Sequence, residues 1–334
     1  MQISPIGSVS CNYNKRNCSG VRKQPSFGSI VPDLKPENAV NYLFYQRLDL
    51  NFDKLRRSST RIFRELPTQN AIAKLLNPDE KSEIKILGCS DGSEAWAHAI
   101  VLKEIMGEKA RQNVKIEGID NADYLIETAK TGRIVCSDIE KDRYPDLEKN
   151  TSGLESPIYG KGWDKYLIKS KRPEGFNRLL NQEPCLQYME FDPVARKQIG
   201  KGLNWYEINK QGLPQVDFKA GDMLDNLDTD SDSKNAVYVI ANAGAYLLEK
   251  DPNKFIKLFS DIKEKNQGKK VFVVLGDMEN RLLNNPNQRI ISPSLQFALN
   301  LSLNSMGYHQ IDEDLAKSFG SKDYKNVASK ILTL

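Results

Sequence analysis

Histidine is nearly missing from this chain: of 334 residues, only His98 and His309 carry an imidazole. They lie far apart and no cysteine cluster accompanies either, so neither a zinc centre nor a Ser-His-Asp hydrolase is expected, and no metal site. The five cysteines, Cys11, Cys18, Cys89, Cys136 and Cys185, are odd in number and lack metal-like spacing. Reduced thiols in a cytoplasmic protein are their expected state. Long apolar runs are lacking too. The longest, such as V-F-V-V-L at 271–275, are strand-sized, so no membrane insertion is expected. The stretch M-Q-I-S-P-I-G-S-V-S-C-N has no apolar h-region, and no secretion signal is expected from it. Nor is there a dense Lys/Arg patch with interleaved aromatics. A net charge of +4 with both signs mixed makes nucleic acid an unexpected partner.

What is present reads as an ordinary soluble balance, 39% hydrophobic and 28% charged, in a chain long enough to bury a substantial core. Residues 1–35 are rich in Ser, Asn, Gly, Lys and Pro, and a disordered tail is expected there. Residues 36–80 read as a short N-terminal helical region, broken near Pro67. From 81 to 334 short apolar runs alternate with helical patterns. Strands are expected at 85–88, 114–120, 216–223, 236–243 and 270–277, with a last one in A-S-K-I-L-T-L at the C-terminus. The helix after the first strand should bury one face, carrying Ala95, Ala99, Leu102 and Met106. Gly132 should close the next helix, and another is expected at about 251–264. This rhythm predicts an α/β fold with a doubly wound, mostly parallel sheet. Residues 133–215 break it with polar, Gly/Pro-punctuated and aromatic sequence, too long for a connection, and read as an inserted subdomain.

Ligands of such sheets bind beyond the carboxyl ends of the strands. Four expected strands end in a candidate group: the loop G-C-S-D-G-S-E, with Gly88, Ser90, Gly92 and Glu94, then Asp120, Asp222 and Asn242. The two glycines let backbone approach a ligand. Yet the loop lacks both the third glycine of a dinucleotide site and the Lys-Ser/Thr of a triphosphate site. Asp120 stands where a carboxylate grips ribose hydroxyls. Glu94 opposes a pyrophosphate and suits an ammonium. Ribose, adenine and a cationic amino-acid tail together describe S-adenosylmethionine.

At these residues the chain resembles the CheR-type chemoreceptor glutamate methyltransferases. S-S-T-R-I-F-R-E at 58–65 is similar to the family's N-x-T-x-F-F-R-E, and C-S-D-G-S-E-A-W to its C-S-T-G-E-E-P-Y. G-I-D-N-A-D-Y-L-I-E-T-A-K-T-G resembles a D-I-D…L…A…G block. V-D-F-K-A-G-D-M-L resembles V-x-F-x-x-x-N-L-L, and V-I-A-N-A-G-A-Y-L resembles I-F-C-R-N-V-L-I-Y-F. Order and spacing agree over roughly residues 58–280.

The resemblance implies a Rossmann-like class I methyltransferase fold and S-adenosylmethionine as cofactor. Position by position, it implies that Thr60 and Arg64 contact the cofactor, that Glu94 meets its amino group, and that Asp120 holds its ribose. Asp222 and Met223 stand at the adenine, Asn242 matches the Asn of Arg-Asn, and Tyr246 the Tyr near the methyl. Departures are Ala241 for the family's Arg, Asp222 for an amide, Ser58 for Asn, and Ser93 and Ala95 for Glu and Pro. The family's helical N-terminal domain is shortened. Its small antiparallel subdomain falls at the insert, where K-S-K-R at 169–172 suits an acidic partner.

The activity so implied is O-methylation of a protein carboxylate, as in chemotaxis, on a receptor-like acceptor, with Arg64 and Tyr246 as the catalytic pair. Two alternatives stay open: a catalytically inactive S-adenosylmethionine-binding regulatory module, and a small-molecule methyltransferase. Individual residues have plainer readings as well. Arg64 suits a surface ion pair, Glu94 a pairing with Lys103, Tyr246 the core, and D-x-x-D at 222–225 a turn. His98, one turn into a helix, reads as structural.

Overall fold

The computed structural model describes residues 62, 65–137, 163–171, 203–241, 243–284, 293–321 and 323–334, without the side chains of 124, 135–137, 163, 164, 203, 204, 249 and 250. All belong to one compact unit, Lys35–Leu334. The expected tail at 1–35 and most of the insert lie outside the described residues.

Chain order begins α1 (Leu66–Leu75), β1 (Ser82–Leu87), α2 (Ser93–Met106), α3 (Glu108–Asn113), β2 (Val114–Asp120) and α4 (Asp123–Thr131). Next come β3 (Arg133–Ser137), α5 (Trp163–Tyr166), β4 (Leu167–Ser170), β5 (Leu203–Ile208) and β6 (Gln215–Ala220). A 3-10 turn (Met223–Asp225) leads to β7 (Asn235–Val239), α6 (Ala243–Lys250), α7 (Pro252–Lys265) and β8 (Lys270–Val274). Last are α8 (Asp277–Asn284), α9 (Pro293–Ser305), β9 (His309–Gln310), α10 (Glu313–Ser318), α11 (Tyr324–Lys330) and β10 (Ile331–Thr333).

Seven strands form one sheet in the order β6-β2-β1-β7-β8-β10-β9. The first five in that order run parallel, with Ile84 of β1 opposite Ile116 of β2 and Val237 of β7. The C-terminal strand exists as expected. It runs antiparallel to β8 and β9 and is shorter than A-S-K-I-L-T-L, because α11 extends to Lys330. Strands expected to reach 223, 243 and 277 stop at 220, 239 and 274, since their polar tails are loops and helix starts at the carboxyl edge.

Alternation along the strands sends side chains into two cores, one on each face. Val237 and Val239 of β7 join α1 and α2 on one face, while Ala236, Tyr238 and Ile240 join α7 and α9 on the other. Helix α2 differs from the one-sided expectation: it is buried from Ser93 to Leu102 on every side, packed against the sheet and α1. Pro67 starts a helix rather than breaking one, because it sits in the first turn of α1, where its missing N–H has no intrahelical partner to lose. Gly132 closes α4 with a left-handed φ of 70°, as expected.

Strand β1 also buries two charges. Lys85 lies 3.2 Å from Glu83 and 2.5 Å from Glu117, and Glu83 accepts the Asp230 amide at 2.8 Å. Each ion is met by partners, which is the condition for burying it. Within the insert, β3, β5 and β4 form a separate three-stranded antiparallel sheet. Glu104 of α2 holds it, accepting the Tyr166 hydroxyl and pairing with Lys165 at 2.8 Å. Among the described residues, no helix is long and apolar enough to cross a membrane.

The buried Tyr238 hydroxyl donates to the Leu227 carbonyl and accepts from Asn266 Nδ2 at 2.7 Å. It thus links β7 to α7 and to the loop before β7. Tyr238→Phe strands a buried carbonyl, and a loss of about 1–3 kcal/mol is expected. Urea unfolding would read this as a lower midpoint at unchanged slope.

Candidate functional site

Strand order reverses between β1 and β7, and the carboxyl edge at such a switch point is where open sheets of this kind bind ligands. At that edge lies the loop 88–92. Gly88 and Cys89 donate their amides to the Ile119 carbonyl at 2.8 and 2.9 Å. Ser90 donates to Asp120 Oδ2 at 2.9 Å, Gly92 to the Cys89 carbonyl at 3.0 Å, and Ser93 to Asp91 Oδ1 at 2.9 Å. All five amides are therefore spent within the protein. A phosphate cradle needs such donors free. Beside these spent amides stand the carboxylates of Asp120 and Glu94, which are acceptors.

Gly88, Ser90 and Gly92 have φ of 79°, 52° and 82°, in the left-handed region. The expectation that the glycines admit a ligand needs correcting at their Cβ positions, which face protein. A Cβ on Gly88 would lie 2.6 Å from that of Ala243, and one on Gly92 would lie 2.8 Å from the Phe218 ring and 2.9 Å from the Ala129 Cβ. They let the loops after β1 and β7 close on each other, and let Phe218 of the edge strand lie over the loop.

Asp120 ends β2. Its Oδ1 accepts the Ala122 amide at 3.0 Å opposite the Ser90 contact, and its own carbonyl accepts Gly221 at 2.9 Å. Burial raises its pKa, against the lowering by backbone bonds from Ser90, Ala122 and Asn121. Two carboxylate oxygens offer about four acceptor sites, so capacity remains beyond these three amides. Glu94 is buried in the first turn of α2, and the ion pair of Lys103 is with Glu108. Asp222 is exposed and caps the 3-10 turn, accepting the Leu224 amide at 2.9 Å, as the turn reading has it. Met223 beside it is half-buried against the second core. Ala241 is buried beyond β7, and Tyr246 is half-buried in α6. Thr60, Arg64 and Asn242 lie outside the described residues, although Ile62 and Glu65 of the same motif are described and buried.

His98 is buried, and burial lowers its pKa to about 4, so it stays neutral, with Nδ1 carrying no hydrogen bond. Asp91 was passed over in the sequence because nothing local shows that it is buried. It is 2% exposed, and burial lifts its pKa to about 6, opposed by hydrogen bonds from Ser93.

A carboxylate at the end of β2, a second at the start of α2 and a loop whose Gly88, Cys89, Ser90 and Gly92 amides are already used fit a ligand with ribose hydroxyls and an ammonium. Residues 58–144 match the family model of the CheR methyltransferase, SAM binding domain. This segment is a CheR-type S-adenosylmethionine-binding domain. The surrounding sheet is a Rossmann-like, doubly wound α/β sheet, and the cofactor of the matched domain is S-adenosylmethionine.

The CheR-type segment includes the T-R-I-F-R-E motif, the loop 88–92 and Asp120, and stops before Asp222. No curated protein matches the chain in sequence. Among solved structures, an S-adenosylmethionine-dependent methyltransferase of Clostridium acetobutylicum is 10% identical, over 70% of this chain and 57% of its own, with a TM-score of 0.28. The plantazolicin methyltransferase BpumL with SAH is 9% identical, over 89% and 93%, at 0.31. Magnesium protoporphyrin IX methyltransferase of Synechocystis PCC 6803 with SAM is 10% identical, over 85% and 91%, also at 0.31. At these scores the likenesses carry no argument about substrate.

Because the folded-state pKa of Asp91, about 6, exceeds the ordinary 3.8, the native fold holds that proton more tightly than the unfolded chain. Its contribution to stability is full below the ordinary value and lost as pH rises through the folded one. Asp91→Asn keeps an acceptor for Ser93 and has nothing to ionise. Relative to the parent it is expected to gain stability between about pH 4 and pH 7, by at most about 3 kcal/mol. Urea unfolding across that range checks this, and parallel curves for the two proteins would refute it.

Proposed function

We propose that the chain transfers a methyl group from S-adenosylmethionine to a carboxylate oxygen of a protein glutamate. The observation that carries the cofactor half is the loop 88–92, whose Gly88, Cys89, Ser90 and Gly92 amides are consumed internally beside the carboxylates of Asp120 and Glu94. The acceptor half rests on the T-R-I-F-R-E motif and Tyr246.

In this reading Asp120 accepts from the ribose hydroxyls, Glu94 pairs with the amino group, and Asp222, Met223 and Asn242 border the adenine. Thr60 and Arg64 close over the cofactor, with Gly88, Ser90 and Gly92 shaping the loop. When bound, S-adenosylmethionine supplies an electrophilic methyl on a sulfonium. A glutamate acceptor has an ordinary pKa of about 4.3 and is already ionised at neutral pH. Its oxygen attacks without losing a proton, so no general base is needed. The protein's work is then alignment and neutralisation of the acceptor by Arg64, through a bidentate contact, while Tyr246 packs beside the methyl. Ala241, buried where the family has an arginine, favours a second reading in which the acceptor is a small molecule.

Calorimetry with S-adenosylhomocysteine tests the cofactor. The parent is expected to bind in the micromolar range, and Asp120→Ala about tenfold or more weaker, the loss of a charged hydrogen bond. A melting curve of the variant accompanies it, because Asp120 also holds the Ser90 and Ala122 amides. Incubation with methyl-tritiated S-adenosylmethionine and a glutamate-rich protein tests the acceptor. Base-labile methanol release marks a methyl ester, and binding without such release would leave the small-molecule reading.

A further inference from the structure

Beyond β8 the chain enters α8 through Gly276, Asp277 and Glu279, a stretch for which the sequence suggested no role. Glu279 is fully buried. Its Oε1 accepts the Ala245 amide at 2.6 Å and its Oε2 the Gly276 amide at 3.1 Å. Ala245 directly precedes Tyr246 in α6. The fit is close on that side, for a Cβ on Gly244 would lie 3.1 Å from Glu279 Cγ. One carboxylate thus ties the start of α6, after β7, to the end of β8.

Asp277 reaches in another direction. Its Oδ1 lies 2.6 Å from Lys330 Nζ, which also lies 2.6 Å from Glu65 Oε2. The Lys330 and Glu65 side chains are only 4% and 6% exposed, whereas that of Asp277 is 54% exposed. Glu65 directly follows Arg64. Lys330 in turn accepts the Leu275 amide on its carbonyl at 2.8 Å. The ammonium is therefore buried between two carboxylates, one from the motif and one from α8.

We infer that the first turn of α8 is a positioning hub for the acceptor side of the site, with Glu279 registering the helix of Tyr246 and Asp277, through Lys330, registering the residue next to Arg64. It rests on the roles proposed above for Arg64 and Tyr246. None of these groups belongs to the loop 88–92 or to Asp120, which meet β2 on the other side of β1. The acceptor side and the cofactor cradle are thus held by separate polar networks, joined through the sheet. Physical chemistry explains why this hub is sensitive. A buried carboxylate is tolerated here because backbone amides satisfy it, and turning one oxygen into an NH2 sets donor against donor. Removing Lys330 alone leaves Glu65 buried without its counter-ion, which is far worse than removing both.

Hydrogen exchange by mass spectrometry on the full chain, with Glu279→Gln, Lys330→Met and Lys330→Arg, tests the hub. Glu279→Gln is expected to speed exchange over 243–247 by about tenfold or more, and Lys330→Met to do so over 62–66, while 86–93 and 116–122 stay near the parent. Lys330→Arg should restore protection. Should Lys330→Met fail to fold, Asp277→Ala severs the tie to α8 while leaving the buried Glu65–Lys330 pair intact, and faster exchange over 62–66 is again expected. Protection unchanged at 243–247 and 62–66, or lost equally at 86–93, would overturn the hub. With the glutamate acceptor, Glu279→Gln should lower kcat about tenfold or more while leaving KM for S-adenosylmethionine near the parent, a split that general loosening does not produce. A parent that fails to bind S-adenosylhomocysteine would sink the proposed function, and the exchange result would still stand on its own.

Discussion

The Asp120 carboxylate accepts amides from Ser90 and Ala122, and its carbonyl accepts that of Gly221, so a single residue sets the register of the loops after β1, β2 and β6. Everything proposed for the cofactor depends on that junction. With the amides of Gly88, Cys89, Ser90 and Gly92 turned inward, the edge presents carboxylates, which suit a ligand bringing hydroxyls and positive charge. The same inward turn requires left-handed backbone at Gly88 and Gly92, where the missing Cβ atoms make room for Ala243 and Phe218. Chemistry and packing are here one arrangement.

Buried charge recurs through the fold and is satisfied in the same manner each time. Lys85 lies between Glu83 and Glu117, Lys330 between Glu65 and Asp277, and Glu279 under two amides. Such groups add little net stability against apolar replacements, yet breaking one partner away is severe. Their effect is to make particular loop positions the only satisfied ones. His98 and Asp91 show the complementary solution, in which burial favours the neutral form of the group.

Much of the sheet was legible because its strands are apolar runs bounded by polar residues, a pattern that needs no knowledge of partners. Their ends were overrun by several residues, since polar tails such as A-G-D and L-G-D continue the run in composition but leave the sheet in space. The sidedness of α2 was misjudged for a related reason. Ser93, Glu94 and Ala97 lie off the face of Ala95, Ala99 and Leu102, and they are buried as well because the helix packs against α1 in addition to the sheet.

By itself, the sequence determined the alternation of strands and helices, the carboxylates at the ends of β1 and β2, and the likeness that names the cofactor, because these are local in the chain. Tertiary structure alone decided what each polar group touches. Glu65 and Lys330 stand 265 residues apart and meet within hydrogen-bonding distance. Glu279 reaches Ala245 across two strand ends, and Asp222 turns to its own backbone. Contacts of this kind follow from where the sheet sets its strand ends, and a linear pattern carries no record of that distance.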